Sequence, residues 1–309
     1  MPGLIHGGRI EHSCPTSRSI GYFLESIISL APFSKSPFDI MFHGVTNSNV
    51  DSSVDTIRTV YLPLLKKFGI EDAELKIKKR GAMPLGGGEV HFSCSTVKAL
   101  TPIIFTEEGK IKRIRGIAYA TRISPQTANR VVENARKELM GYIPDVYIYT
   151  DVYKGPESGL SPGYALTLVA ESTQGVLLSA ETAYHPRATT DKKKKEDLTE
   201  EVEKHLKNVY AFETPEDLGE RTAKLLLKEI GSGGCVTSCV QWLALLFCAL
   251  CPEDVVKVRV GKLTPFSIQY LRDIKTFLGV KFQAEGSDDD TVLMTCLGSG
   301  YVNMSKKTN

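Results

Sequence analysis

Apolar residues recur at Ile20, Phe23, Leu24, Ile27 and Ile28, the spacing of one helix face, which predicts an amphipathic helix over residues 17–30. Phe38, Ile40 and Phe42 alternate with other residues as a strand does. Ser52-Ser53-Val54-Asp55 offers N-caps for a second helix with Ile57, Tyr61, Leu64, Leu65 and Phe68 on its apolar face. Pro63 lies inside that face and should kink or shorten the helix. Glu74 to Arg80 alternates apolar with basic residues, and Val90 to Cys94 alternates again, so a hairpin follows. The block reads strand–helix–strand–helix–strand–strand.

A second copy of the pattern lies near the other end. Val256, Val258 and Val260 alternate with Lys257 and Arg259, and Thr264-Pro265 supplies an N-cap and a first-turn proline. The helix that follows carries Leu271, Ile274 and Leu278 on one face. Its end, Lys275 to Val280, echoes Lys66 to Ile70, and Val292 to Cys296 echoes Val90 to Cys94, which points to an internal repeat. Residues 116–183 differ: a helix from Ser124-Pro125 through Leu139, then strand-like Val146–Tyr149, Tyr164–Ala170 and Gly175–Ala180. Gly155–Gly163 is a loop by its glycine, proline and serine content.

Between the two strands of the first hairpin stands Arg80-Gly81-Ala82-Met83-Pro84-Leu85-Gly86-Gly87-Gly88-Glu89-Val90. Glycines permit positive φ and close approach to the backbone. The loop is read either as a plain turn or as an anion nest of Gly86, Gly87 and Gly88 beside a basic face of Lys78, Lys79 and Arg80. The whole string resembles the signature of the RNA 3′-terminal phosphate cyclase family. The resemblance extends through Lys112-Arg113-Ile114-Arg115-Gly116 and Pro144-Asp145-Val146-Tyr147-Ile148-Tyr149. It implies an α+β fold of repeated βαβαββ units, a core over 1–115 and 184–309 and a small α/β insert over 116–183. The charge run Asp191–Glu196, within a charged stretch over 187–208, reads as a solvated linker or exposed helix, or alternatively as a nuclear-import signal. Family members carry a further strand–helix unit before the segment resembling Pro2–Gly8, so the first repeat is expected to be incomplete, with a sheet edge and helix face uncovered.

Composition narrows the setting. The 309 residues carry a formal net charge of only +2, so nucleic-acid contact must come from local patches. No apolar run is long enough to span a membrane and no secretory leader is recognisable. Seven scattered cysteines fit reduced thiols in an intracellular protein. Cys235, Cys239, Cys248 and Cys251 mimic a zinc arrangement, but Trp242–Phe247 between them favours a buried helix, and no metal is expected. No Walker-type Gly-Lys-Ser is present and no cofactor is expected.

The resemblance also frames the chemistry. True cyclases use a covalently adenylated histidine that opens a motif ending Asp-Gln. Here Thr237 stands at the histidine's place and Val240 at the aspartate's, and only Gln241 remains. A hydroxyl cannot replace an imidazole that forms a phosphoramidate. That departure resembles the cyclase-like branch of the family. The branch implies a ribosome-biogenesis factor acting in pre-rRNA processing toward 18S rRNA and the 40S subunit. It implies as partners the U3 small nucleolar ribonucleoprotein of the small-subunit processome, pre-rRNA and a Bms-type GTPase, and as location the nucleolus of the nucleus. Two alternatives stay open: an endonuclease using Arg272, Asp273 and Lys275, which otherwise form an ordinary charged helix face, or an ATP-dependent cyclase with a relocated nucleophile. Lys112, Arg113 and Arg115 could meet phosphates, or simply protect an edge strand.

Overall fold

A computed structural model describes residues 5–184, 214–287 and 290–306. The charged linker expected over 187–208 lies outside them. The first unit comprises β1 (Gly8–Ser13), α1 (Ile20–Leu30), β2 (Phe38–Gly44) and α2 (Val54–Thr56). It continues through α3 (Leu62–Lys67), β3 (Glu74–Lys79) and β4 (Gly88–Cys94). The sheet order is β1-β2-β4-β3, with β1 and β2 parallel and the other pairs antiparallel. All six members of the strand–helix pattern are thus present within 8–94, and β1 forms one edge with Ile10 exposed.

Local chemistry sets the helix limits. α1 begins at Ile20, three residues later than the expected span 17–30, because the Ser19 N–H donates to Asp51 and the Ile20 N–H to the Val45 carbonyl, at 2.8 Å each. Pro63 does not break its helix: a single π-helical turn, Ile57–Tyr61, joins α2 to α3 and absorbs the missing donor. The Thr59 hydroxyl donates back to the Asp55 carbonyl at 2.7 Å in the same turn.

After β5 (Ile104–Phe105) the chain leaves to build a separate sheet from β6 (Ile111–Thr121), β7 (Val146–Tyr153), β8 (Gly163–Ser172) and β9 (Leu177–Ala183). Its order is β7-β6-β8-β9. Helix α4 (Pro125–Leu139), capped by Ser124, makes the crossover between the parallel strands β6 and β7. Helix α5 (Pro215–Gly231), held by a Thr214–Asp217 capping box, packs beside it. Their contact is close: a Cβ on Gly219 would lie 2.3 Å from the Val131 carbonyl oxygen. Val131, Ala135, Leu139, Leu218 and Leu226 bury there against Leu166 and Leu168 of the sheet. This sheet and its helices therefore draw on residues 111–183 and 215–231, because β6 is one continuous strand across residue 116.

The second unit resumes with α6 (Gln241–Leu250), β10 (Val255–Val260), α7 (Pro265–Leu278), β11 (Gln283–Gly286) and β12 (Val292–Leu297). Its sheet runs β5-β10-β12-β11, again parallel, antiparallel, antiparallel. Strand for strand this is the first unit's topology, so the internal repeat seen in the sequence is a repeat of fold. The two units share one core, in which Phe68 and Phe247 meet edge to face at 5.5 Å and Leu24, Ile28, Leu65, Leu243 and Leu245 are fully buried. Each such side chain contributes about 1.5–3 kcal/mol by leaving water. Among the described residues no helix is long and apolar enough to cross a membrane.

Candidate functional site

The glycine loop lies where the first unit meets the insert. Arg80, immediately after β3, is 1% exposed. Its guanidinium donates to both carboxylate oxygens of Asp55, one of these bonds measuring 2.9 Å, and to Asp151 Oδ2 at 2.9 Å, and it lies 5.0 Å over the Tyr119 ring. Asn47 Nδ2 donates to the same Asp55 at 3.2 Å. Burial alone would raise the Asp55 carboxyl, yet Arg80 and Asn47 hold it below the usual carboxylate range. Arg80 therefore leaves the candidate anion-binding set and acts as a clamp between units.

The glycines are used in the same way. Leu85 N–H donates to Ser161 Oγ at 3.0 Å, Gly86 N–H to the Ala82 carbonyl at 2.9 Å, and Leu160 N–H to the Gly86 carbonyl at 2.9 Å. Gly86 and Gly87 have φ of +69° and +80°. A Cβ on Gly87 would lie 2.7 Å from Leu160 Cγ, and one on Gly88 2.7 Å from Thr46 Cγ2. What approaches this backbone is the protein itself: the loop at 155–163 and the end of β2 running into Thr46.

The basic residues do not converge. Lys78 is exposed beside a cleft of about 630 Å³ on the open face of the first sheet, with Arg9, Asp39 and His91. Lys79 pairs with Glu89. Lys112 and Arg113, in the insert's sheet, both reach Glu171, at 2.7 and 2.6 Å. Arg115 holds Asp145 with two bonds of 2.8 and 3.0 Å, which lowers that carboxyl below its usual range. The two basic strands thus sit in different sheets, and in both of them carboxylates answer the charge.

Thr237, where the resemblance places the adenylated histidine, is fully buried. Its Oγ1 donates to Glu229 Oε1 at 2.7 Å and accepts from the Ser179 N–H at 3.3 Å. Glu229, from α5, also accepts from the backbone and hydroxyl of Ser238, so it caps the turn that leads into α6. Val240 is buried in the core, and Gln241 Oε1 accepts from Thr264 N–H and Ser267 Oγ at 3.3 and 3.0 Å, tying α6 to the start of α7. The crevice beside Thr237 has a volume of about 20 Å³ and is lined by Val60, Leu64, Lys67, Phe105 and Val236. That is room for roughly one water. No histidine lines it.

Arg272 and Lys275 are exposed on α7, and Arg272 donates to Gln269 Oε1 at 3.3 Å while Gln269 Nε2 donates to Asp273 Oδ1 at 3.0 Å. They form a surface ladder along one helix. The cysteines do not assemble a metal site: Cys235 belongs to the insert's core and Cys248 and Cys251 to the main core. Burial pushes the Cys235 and Cys251 thiols up to about 12. Among the described residues no three His, Cys, Asp or Glu side chains are placed to hold a metal ion.

The sequence reading missed the carboxylates that organise this region. Besides Asp55, Asp151 and Glu229, Glu181 of β9 accepts from the Ser53 N–H at 2.9 Å and Thr56 Oγ1 at 2.7 Å, capping α2 from the neighbouring sheet. Burial raises its carboxyl. Only Asp55 carried a sequence signal, as part of the expected cap.

A profile of the RNA 3′-terminal phosphate cyclase family matches residues 1–284, and the chain belongs to that family. It is 53% identical, over 100% of its length and 81% of the relative's, to the probable RNA 3′-terminal phosphate cyclase-like protein of Dictyostelium discoideum. It is 50% identical to the RNA 3′-terminal phosphate cyclase-like protein of Homo sapiens, over 99% of this chain and 79% of that one. The rRNA processing protein rcl1 of Schizosaccharomyces pombe is 44% identical over the same shares, 99% and 79%.

Proposed function

We propose that this chain is a ribosome-biogenesis factor that acts in pre-rRNA processing and has no cyclase activity. The observation that carries the reading is Thr237: the nucleophile's position holds a fully buried hydroxyl bonded to Glu229. Nucleophilic phosphoryl chemistry requires an oriented imidazole there and space for the adenylate. The rRNA assignment is supported by likeness to the rRNA processing protein of Schizosaccharomyces pombe. In finer terms, the work is early processing toward 18S rRNA and the 40S subunit within the small-subunit processome, in the nucleolus. The partners are the U3 ribonucleoprotein, pre-rRNA and a Bms-type GTPase.

The test is re-expression of the tagged chain in cells depleted of their own copy. Recovery of mature 18S rRNA, with U3 RNA, pre-rRNA and the GTPase in the purified complex, is the expected result. Recovery of none of these from a well-folded protein overturns the reading. Incubation with labelled ATP is expected to trap no protein–adenylate; a trapped adduct restores the cyclase.

A further inference from the structure

The face of the insert's sheet turned away from α4 and α5 is covered over β8, where Val169 joins the main core, and near Tyr119, and it is open along β7. Strand register sets Tyr119 beside Asp151, and there Arg80 closes over both. Two and four residues back along the same face, Ile117 stands beside Tyr149 and Arg115 beside Tyr147. Val146 and Ile148, the alternate residues, are buried against the helices, so the two tyrosines point outward. They are 54% and 56% exposed, and their rings meet edge to face at 4.5 Å. On the next strand over, Arg113 and Arg115 occupy the same face, opposite Glu171 and Val169 of β8.

An exposed aromatic pair flanked by arginines on an open sheet has a specific chemical use. Unpaired bases stack on aromatic faces and guanidinium groups meet the intervening phosphates, whereas the bases of a duplex are already stacked on one another. The bidentate grip of Arg115 on the exposed Asp145 is also the geometry in which a guanidinium holds two phosphate oxygens. Lys112, Arg113 and Arg115 face two carboxylates, Glu171 and Asp145, leaving an excess of cations that suits a polyanion.

We propose that Tyr147 and Tyr149, with Arg113 and Arg115 beside them, form a platform for single-stranded RNA. The proposal rests on the reading that this chain works on ribosomal RNA, and it adds the place and the kind of RNA engaged. Tyr147 and Tyr149 supply stacking, and the arginines supply phosphate contact.

The test is fluorescence anisotropy of the full chain with a labelled single-stranded RNA of about twelve nucleotides, and with its duplex, at two salt concentrations. Tyr147→Ala and Tyr149→Ala are each expected to weaken single-strand binding about five-fold or more. The double Tyr147→Phe, Tyr149→Phe variant keeps the rings and is expected to stay within about two-fold. Arg115→Gln should weaken binding and flatten its salt dependence. Coincident thermal melts establish that the variants are folded. No single-strand binding by the wild-type chain, preference for the duplex, or alanine variants that bind like wild type overturns the platform. So does loss of a protein partner with RNA affinity unchanged, which makes the face a protein-docking site. Wild-type rescue of 18S rRNA separates the two ideas: rescue with alanine variants that bind normally sinks the platform alone, and failed rescue sinks the processing role.

Discussion

Asp55 and Arg80 form an ion pair in which each side chain is 1% exposed, joining the first turn of α2 to the residue that opens the glycine loop. Asp151 and Asn47 complete the hydrogen bonding around the pair. Its main consequence is mechanical, because Asp151 belongs to the insert and Asp55 to the first unit. The pair therefore holds both the loop and the unit boundary in place.

Removing one partner leaves the other charged and buried. Asp55→Ala is expected to cost about 3–5 kcal/mol of stability, measured as a fall in the urea unfolding midpoint. Replacing both residues, as Asp55→Leu with Arg80→Met, should cost clearly less than the sum of the single changes. Additive costs would mean that the two are not coupled.

The same pair sets an acid sensitivity. Asp55 titrates below its usual range when folded. It therefore contributes stability that is fully present above the unfolded value of about 3.9 and is lost as pH falls through the lower folded value. Glu181 works in the opposite sense: its carboxyl is raised, so its contribution is complete below about 4.3 and is lost as pH rises through the folded value. Midpoints of unfolding against pH should show a shallower acid limb for Asp55→Asn and a smaller loss on the neutral side for Glu181→Gln. Unchanged profiles would contradict the assignments.

Restoring a histidine should not restore a cyclase. Thr237→His places a larger ring beside a space of about 20 Å³ and displaces the hydroxyl from Glu229. A stability loss of about 1–3 kcal/mol is expected from overpacking, with no adenylate formed from labelled ATP.

The contact between the two glycine-rich loops can be tested at a single atom. A Cβ on Gly159, where φ is +30°, would lie 2.5 Å from the Arg80 carbonyl oxygen and 2.7 Å from that of Gly86. Gly155 also has a positive φ, +68°, but open space around it. Gly155→Ala should cost about 1–2 kcal/mol for conformation alone, and Gly159→Ala clearly more, by thermal melting.

Asp273 is hydrogen-bonded to Gln269 one turn back on a charged helix surface. Asp273→Ala is expected to change stability by no more than about 0.5 kcal/mol and to leave pre-rRNA cleavage unchanged. Lost cleavage by a folded variant would establish the nuclease.

Much of this fold was legible in the chain because caps and periodicity agree. Ser124 and Thr264 cap the helices expected to follow them, and the echo of Lys66–Ile70 in Lys275–Val280 marks two equivalent helix ends. Arg80 departs from the alternation before it for a definite reason. The alternation of Lys76, Lys78 and Arg80 reads outward, but the register shifts between Ile77 and Lys79, so Lys79 faces Glu89 and Arg80 turns in. The absence of a histidine at the family's nucleophile position was visible as Thr237, whereas Asp151 and Glu181 reach Arg80 and Thr56 from a different sheet that no local pattern connects. In the sequence Tyr147 and Tyr149 read as strand residues of a family motif; the strand register sets Arg115 beside Tyr147 and the exposure of both tyrosines makes them a pair on one face.

The insert's position in the chain bears on how the protein folds. β5 pairs with β10, Ile104 with Lys257 and Phe105 with Val258, only after the chain has passed through the whole inserted sheet and both of its helices. Closing so long a loop early is entropically costly, and contacts this distant in sequence slow folding. An insert that folds first ties β6 to α5 and shortens the effective loop before the second unit must close. A substitution confined to the insert's core would then delay refolding of a sheet that it never touches.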